Sequence, residues 1–226
     1  MKTSRIALLI AAFSTFTWSV GVSAVPITID DFKTNATLVN NAFAPNTSSI
    51  STPDSGTGMI GDRTIELNVF AGGGPASAAA VVVSDLLSLS NSVTTNSDVT
   101  VSWNFLTTDL TDGGANTGLF FGLPAPIDND LTIGFALNGG TSFSRFFADG
   151  SSGSDFFLGF DSLANGSDAD VATSLEVAFS SSGPAWDAAF DFVRSDKPPE
   201  VPVPATFSLI ALGLLGIGLG RRKRAR

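Results

Sequence analysis

Four residue types are missing from this 226-residue chain: it has no cysteine, no histidine, no tyrosine and no glutamine. Without cysteine there is neither a disulfide nor a thiolate nucleophile. Without histidine there is no imidazole base and no histidine-bound metal. Together these absences exclude Ser-His-Asp and Cys-His catalysis and ordinary zinc chemistry. A domain of this length buries a sufficient core without disulfides. Positive charge is scarce as well: 12 Lys and Arg stand against 21 Asp and Glu, a net charge of −9. Most of those cations sit at the two ends. Between the ends, only Lys33, Arg63, Arg145, Arg194 and Lys197 face all 21 acids, a balance of −16. Such a surface repels nucleic acid, so no nucleic-acid partner is expected. It keeps the protein soluble and attracts divalent cations or cationic polymers.

The ends are built differently from the middle. Lys2 and Arg5 precede the apolar run Ile6–Phe13, and Val22 and Ala24 occupy the −3 and −1 positions of a cleavage site. This is the order of a secretory signal peptide over residues 1–24, read by the Sec export machinery and cut between Ala24 and Val25. At the other end stands Val201-Pro202-Val203-Pro204-Ala205. An uncharged apolar run, Ala205–Gly220, follows it, and then the basic cluster Arg221, Arg222, Lys223, Arg224 and Arg226. The run is 16 residues long, whereas a spanning helix needs about 20. Gly213, Gly216, Gly218 and Gly220 weaken it further as a helix. The cations sit where the positive-inside rule puts a cytoplasmic stop. Residues 201–226 therefore read as a hydrophobic tail suited to holding the chain in a membrane for a time.

In this order the three elements resemble the PEP-CTERM class of bacterial sorting signals, in its VPxPA variants. Val201, Pro202, Pro204, Ala205 and Thr206 match the VPEPAT form. Val203 stands where the common form has Glu, as in the VPLPA-like versions. The resemblance implies processing by an exosortase, an integral-membrane, cysteine transpeptidase-like enzyme that cuts near the motif. It implies a Gram-negative host, with the protein held transiently in the inner membrane and then placed at the outer surface or in the extracellular matrix. Families with this tail accompany exopolysaccharide production, so the resemblance also implies a matrix or biofilm role.

The middle of the chain alternates. Ile65, Leu67 and Val69 share one face, as do Val99, Val101, Trp103 and Phe105. Leu131, Ile133, Phe135 and Leu137 repeat the pattern, and so do Leu175, Val177 and Phe179. Period 2 with one apolar face marks a strand half-buried in a sheet. Shorter strands are expected at Ile27–Phe32, Thr37–Phe43, Ala78–Ser84, Leu86–Ser90, Leu119–Leu123, Phe143–Ala148 and Asp155–Phe160. Turn chemistry separates them, as at Asp112-Gly113-Gly114, Asn138-Gly139-Gly140 and Asn165-Gly166-Ser167. The expectation is an all-β fold, an antiparallel β-sandwich or jelly roll, over residues 25–194. Its last strand is read as Pro184 through Phe192, with Trp186, Ala188, Phe190 and Phe192 on one face. Residues 195–200, with Lys197, Pro198 and Pro199, read as a stiff linker to the tail.

Two kinds of candidate site stand out. Acidic loops gather oxygens at Asp128-Asn129-Asp130, at Asp149 with Asp155, and at Asp168-Ala169-Asp170. Calcium takes six to eight such ligands, but none of these spacings is that of an EF-hand, and no ligand residue is assigned. Turn-forming Asp and Asn in solvent explain the same residues. The adjacent ring pairs Phe146-Phe147 and Phe156-Phe157 must point to opposite faces of a strand. One ring of each pair is then free to cover the sheet or to form a platform for a sugar. Gly72-Gly73-Gly74 is not followed by the residues of a phosphate loop.

No catalytic constellation and no cofactor site is legible. The expectation is a non-enzymatic exported surface or matrix protein, associated with exopolysaccharide. A carbohydrate-binding module, with or without calcium, is the alternative. A glycoside hydrolase using two carboxylates is the remaining one.

Overall fold

A computed structural model describes residues 24–40, 46–54, 59–71, 78–151 and 155–198. The segment before Ala24, expected as a signal peptide, and the tail from Val201 lie outside the described residues. The fold is all-β and antiparallel. A six-stranded sheet runs in the order β10 (Phe143–Phe147), β9 (Leu131–Leu137), β12 (Ala172–Ser180), β7 (Asn96–Thr108), β4 (Asp62–Ala71) and β3 (Asn46–Thr52). One four-stranded sheet runs β13 (Ala188–Phe190), β6 (Leu86–Asn91), β5 (Ala78–Val83) and β2 (Ala36–Asn40). The other runs β1 (Ile27–Asp30), β14 (Val193–Asp196), β8 (Gly118–Phe121) and β11 (Phe156–Gly159).

Alternation puts one face of the six-stranded sheet into a core. Ile65, Leu67, Val99, Val101, Ile133, Phe135, Val177 and Phe179 are all buried on that face. Each large apolar side chain so buried contributes about 1.5–3 kcal/mol. Both smaller sheets pack on this same face. Phe121 of β8 meets Phe135 at 4.7 Å between ring centroids, and Phe190 of β13 meets Phe179 at 4.8 Å. The result is a two-layer sandwich around one contiguous cluster. Its outer face on the large sheet is polar. Thr64 pairs with Ser102 and Glu66 with Thr100 across β4 and β7, and Glu176 pairs with Ser102 across β12 and β7.

Three expectations change at the polar strands. β3 was not expected, because Asn46–Thr52 holds a single large apolar residue, Ile50. It forms as the outer strand of the large sheet, where hydroxyl and amide contacts such as Ser51 Oγ to Thr64 Oγ1 (3.0 Å) replace apolar alternation. The segment Pro184–Phe192 is not the last strand and not one strand. Only Ala188–Phe190 pairs, with β6. The chain then crosses to the other small sheet as β14, between β1 and β8. Consequently Ser195 and Asp196 belong to a strand and not to a linker. Ser195 is fully buried, and its hydroxyl donates to the Leu110 carbonyl. Asn165-Gly166-Ser167, expected as a simple turn, opens a short 3-10 segment over Gly166–Val171. Among the described residues no helix is long and apolar enough to cross a membrane.

Candidate functional site

The sorting motif Val201–Ala205 and the basic cluster Arg221–Arg226 lie outside the described residues, but the points from which both ends leave the domain are defined. β1 and β14 are antiparallel neighbours, with Ile27 opposite Ser195. The start of the first strand therefore lies beside the end of the last. Ala24 and Val25, the expected cleavage-site residues, reach the same place. Val25 N–H donates to Asp112 Oδ2 (3.1 Å), and Val25 O accepts from Asn116 Nδ2 (3.1 Å). Ala24 is buried. The turn that supplies Asp112 and Asn116 is held from within. Asp109 accepts from Thr111 Oγ1 (2.6 Å), Thr111 N (2.8 Å) and Gly113 N (3.0 Å). These hydrogen bonds, that of the Thr111 hydroxyl first, hold the Asp109 carboxyl below its ordinary value. Thr117 N donates to Asp196 O (3.0 Å), tying the turn to β14 as well.

The acidic loops separate into different roles. Asp130 and Asp149 come together with Asn129 beside Ser181 and Ser182, around a shallow groove of about 240 Å³. Each carboxylate is engaged by backbone: Asp149 N–H donates to Asp130 Oδ1 (3.0 Å), and Asn129 N–H to Asp149 Oδ1 (3.1 Å). Asp155 is not part of this group; its charge is felt instead by Asp191. Asp168 and Asp170 are exposed on either side of Ala169, which is fully buried and anchors their 3-10 segment. Among the described residues no three carboxylate-bearing residues are gathered as a metal site.

The ring pairs do point to opposite faces. Phe146 is 61% exposed on the outer face, while Phe147 meets the buried Phe156 edge-on at 5.9 Å. Arg145 caps them, its guanidinium 4.3 Å from the Phe156 ring centroid. Phe157 turns outward but is not free. It packs on Phe120 (4.8 Å), its cross-strand partner.

Phe157 is one edge of a patch that sequence alone does not single out. Phe192, Arg194 and Asp196 occupy alternate positions, so all three face outward from the small sheet. That 192/194/196 spacing is the signal by which they could have been found. The Arg194 guanidinium lies 4.6 Å from the Phe192 centroid and 5.5 Å from that of Phe120. Its Nε is 3.4 Å from Asp196 Oδ2. Glycine makes this cover possible at Gly122. A Cβ there would sit 1.7 Å from Asp191 Oδ1 and 2.6 Å from the Phe192 ring. Asp191 Oδ1 is itself enclosed without a hydrogen-bond partner among the described residues. Burial pushes its carboxyl above the ordinary value, the charge of Asp155 adds to the rise, and Arg194 opposes it. Two half-buried rings and a cation thus share one surface, with the enclosed Asp191 Oδ1 packed beside it.

A second arginine is enclosed. Arg63 and Asp30 are both fully buried and paired at 2.7 Å. Asp30 Oδ2 also accepts from Trp103 Nε1 (2.8 Å), and Oδ1 from Phe32 N (2.8 Å). Burial pushes the Asp30 carboxyl up, against the pull of the guanidinium and of the two N–H donors. Outside this group lies a cleft of about 450 Å³ lined in part by Asp54, Asp62, Asn104 and Leu106. Its two carboxylates clamp a turn: Asp62 Oδ1 accepts from Asp54 N (3.0 Å), and Asp54 Oδ2 from Gly61 N (3.1 Å).

Residues 200–224 match the family model described as the PEP-CTERM protein-sorting motif. The chain carries that motif, which marks an exported protein that is held transiently in a membrane and processed by an exosortase. No curated protein matches the chain. Among solved structures, a family 11 carbohydrate-binding module from Clostridium thermocellum, in complex with a β-1,3-1,4-mixed-linked tetrasaccharide, is 14% identical. That match covers 79% of this chain and 100% of the module, with a TM-score of 0.39. An exo-β-1,3-galactanase from Phanerochaete chrysosporium, solved with galactose, is 12% identical over 71% of this chain and 29% of the enzyme, with a TM-score of 0.27. Likenesses this distant carry no statement about what the chain binds.

Proposed function

We propose that the protein is a non-catalytic β-sandwich of a Gram-negative surface or matrix, delivered there by its two terminal signals and associated with exopolysaccharide. The observation that carries this reading is the sorting motif at residues 200–224, set directly behind a sandwich that closes with its last strand. β14 ends at Asp196, so only residues 197–199 separate the folded domain from the matched tail. Further support comes from what the carboxylates do. Those of the cleft and of the groove accept hydrogen bonds from backbone N–H groups. They hold turns, and none is placed beside an imidazole or thiol that could share proton transfer. The test is mass spectrometry of both termini of the protein recovered from the cell surface. A tail removed near Val201–Ala205 is the expected result. Arg221–Arg226 retained in the surface form would end the processing part of the proposal.

A second reading is favoured by one specific feature, the patch of Phe157, Phe192, Arg194 and Asp191. Ligand sites combine apolar or aromatic area with a few directed polar groups. A saccharide offers a C–H face for the rings and hydroxyl acceptors for the partly exposed Arg194 guanidinium. On this reading the sandwich holds polysaccharide through the outer face of the sheet that contains β14. Affinity electrophoresis through gels containing the producing strain's own exopolysaccharide tests it. Retardation lost in Arg194→Ala and in Phe157→Ala supports the patch. Retardation equal to that of the parent in both variants excludes it. A chelator that leaves the retardation unchanged would remove calcium from the binding step.

A further inference from the structure

We propose that the Val25 α-ammonium, freed by signal cleavage after Ala24, docks at a site built for it by Asp112 and Asn116, and that this docking fixes β1 against β14. The inference rests on the export reading and adds to it. Three observations carry it.

Val25 is held at both its backbone groups by one turn. Its N–H donates to Asp112 Oδ2 (3.1 Å), and its carbonyl accepts from Asn116 Nδ2 (3.1 Å). Those contacts join residues 87 and 91 positions apart in sequence, so they are tertiary contacts. The turn is rigid before any ligand arrives. Asp112, Gly113 and Gly114 take positive φ of 49°, 65° and 91°, and Asp109 and Thr111 satisfy the turn's N–H groups. Finally, the site has capacity left over. Asn116 is only 2% exposed, and its Oδ1 has no partner among the described residues. The unprocessed chain offers this site one N–H. The cleaved chain offers a positively charged group with three.

Cleavage thus replaces a neutral amide donor to the Asp112 carboxylate with a charged ammonium, so that both partners of the contact carry charge. It also acts next to the tail. Ile27 lies opposite Ser195, and Thr117, one residue past Asn116, donates to Asp196 O. The processed front end therefore braces the strand from which the sorting tail departs. A misplaced cleavage leaves extra residues in front of Val25 and forfeits the ammonium contact.

The test uses the exported full-length chain, whose N-terminus is first read by mass spectrometry. Four forms are compared by thermal unfolding at pH 7: the parent, Asp112→Asn, and each of these after selective acetylation of the terminal amine. Acetylation removes the charge but leaves one N–H. Asp112→Asn is expected to lower the Tm of the free-amine protein by about 2–4 °C, and to lower it by less than half as much after acetylation. Equal shifts in both backgrounds would overturn the inference, since Asp112 would then serve the turn alone. An N-terminus other than Val25 would overturn it too: one at a neighbouring cleavage position leaves export standing, whereas an uncut Met1 counts against the export assignment. A terminus at Val25 with equal shifts leaves export standing and removes only the docking.

Discussion

Two arginines in this molecule have the same kinds of neighbours and opposite circumstances. Arg63 pairs with Asp30 at 2.7 Å beside the Phe32 ring, with both charged side chains fully buried. Arg194 pairs with Asp196 at 3.4 Å beside Phe120 and Phe192, with the arginine side chain 36% exposed. The first constellation has its carboxylate saturated: guanidinium, indole N–H and backbone N–H all converge on Asp30. The second has a spare acceptor, Asp191 Oδ1, and rings that reach solvent. Identical residue types thus make a structural joint where they are sealed and a candidate contact surface where they are not. Enclosure, and not composition, separates the two roles.

Substitutions can break or sharpen that contrast. The largest effect is expected for Arg63→Ala, which strands the buried Asp30 carboxylate. A loss of about 3–5 kcal/mol should be seen in urea unfolding. A loss below about 1 kcal/mol would mean that the joint is not what holds β1 to the large sheet. Trp103→Phe keeps an aromatic ring but withdraws one donor from Asp30, and about 1–3 kcal/mol is expected beyond the cost of the smaller ring. At the open site, Asp191→Asn should act in the other direction. Burial raises the Asp191 carboxyl above 3.8, so the charged form is less stable folded than unfolded. Stability from this group is fully present below 3.8 and is lost as the pH climbs through the raised folded value. The Asn variant should therefore be more stable than the parent at pH 7, with the gain closing as the pH approaches 4 in a series of melts. A constant difference across that range would remove the ionisation argument. The smallest effect on stability belongs to Arg194→Ala, about 0–1 kcal/mol, although the same variant is expected to lose retardation by polysaccharide. If Arg194→Ala cost as much as Arg63→Ala, the two sites would not differ in kind.

The sequence made the large sheet legible and left part of a small one obscure, for a physical reason. Strands β4, β7, β9 and β12 bury one face and expose the other, so their side chains alternate visibly. β14 does not alternate in the same manner. Val193 and Ser195 face inward, and the buried serine is satisfied by the Leu110 carbonyl, a partner far away in sequence. Nothing local marks Ser195 as interior. β3 is legible only through its partner β4, because its hydroxyls bond sideways to Asn68 and Thr64. The same limit applied to the candidate site. The pair Asp130 and Asp149 stood among the acidic loops, but their use as clamps for each other's backbone is a matter of tertiary geometry. The Arg194 patch depends on a crossover between sheets at Asp191–Phe192, which periodicity read as one continuous strand. The C-terminal sorting motif was legible because its order along the chain is itself the information.

The position of β14 has a mechanical consequence. A chain held by its C-terminal tail transmits force into the strand that leads to that tail. Here that strand is not at a sheet edge. It lies between β1 and β8, antiparallel to both. Tension along the tail therefore runs parallel to two hydrogen-bond ladders and loads their bonds together in shear. An edge strand pulled sideways would yield one bond at a time, like a zipper. For as long as the tail holds the domain, a pull on it is therefore carried by a strand that is paired on both sides.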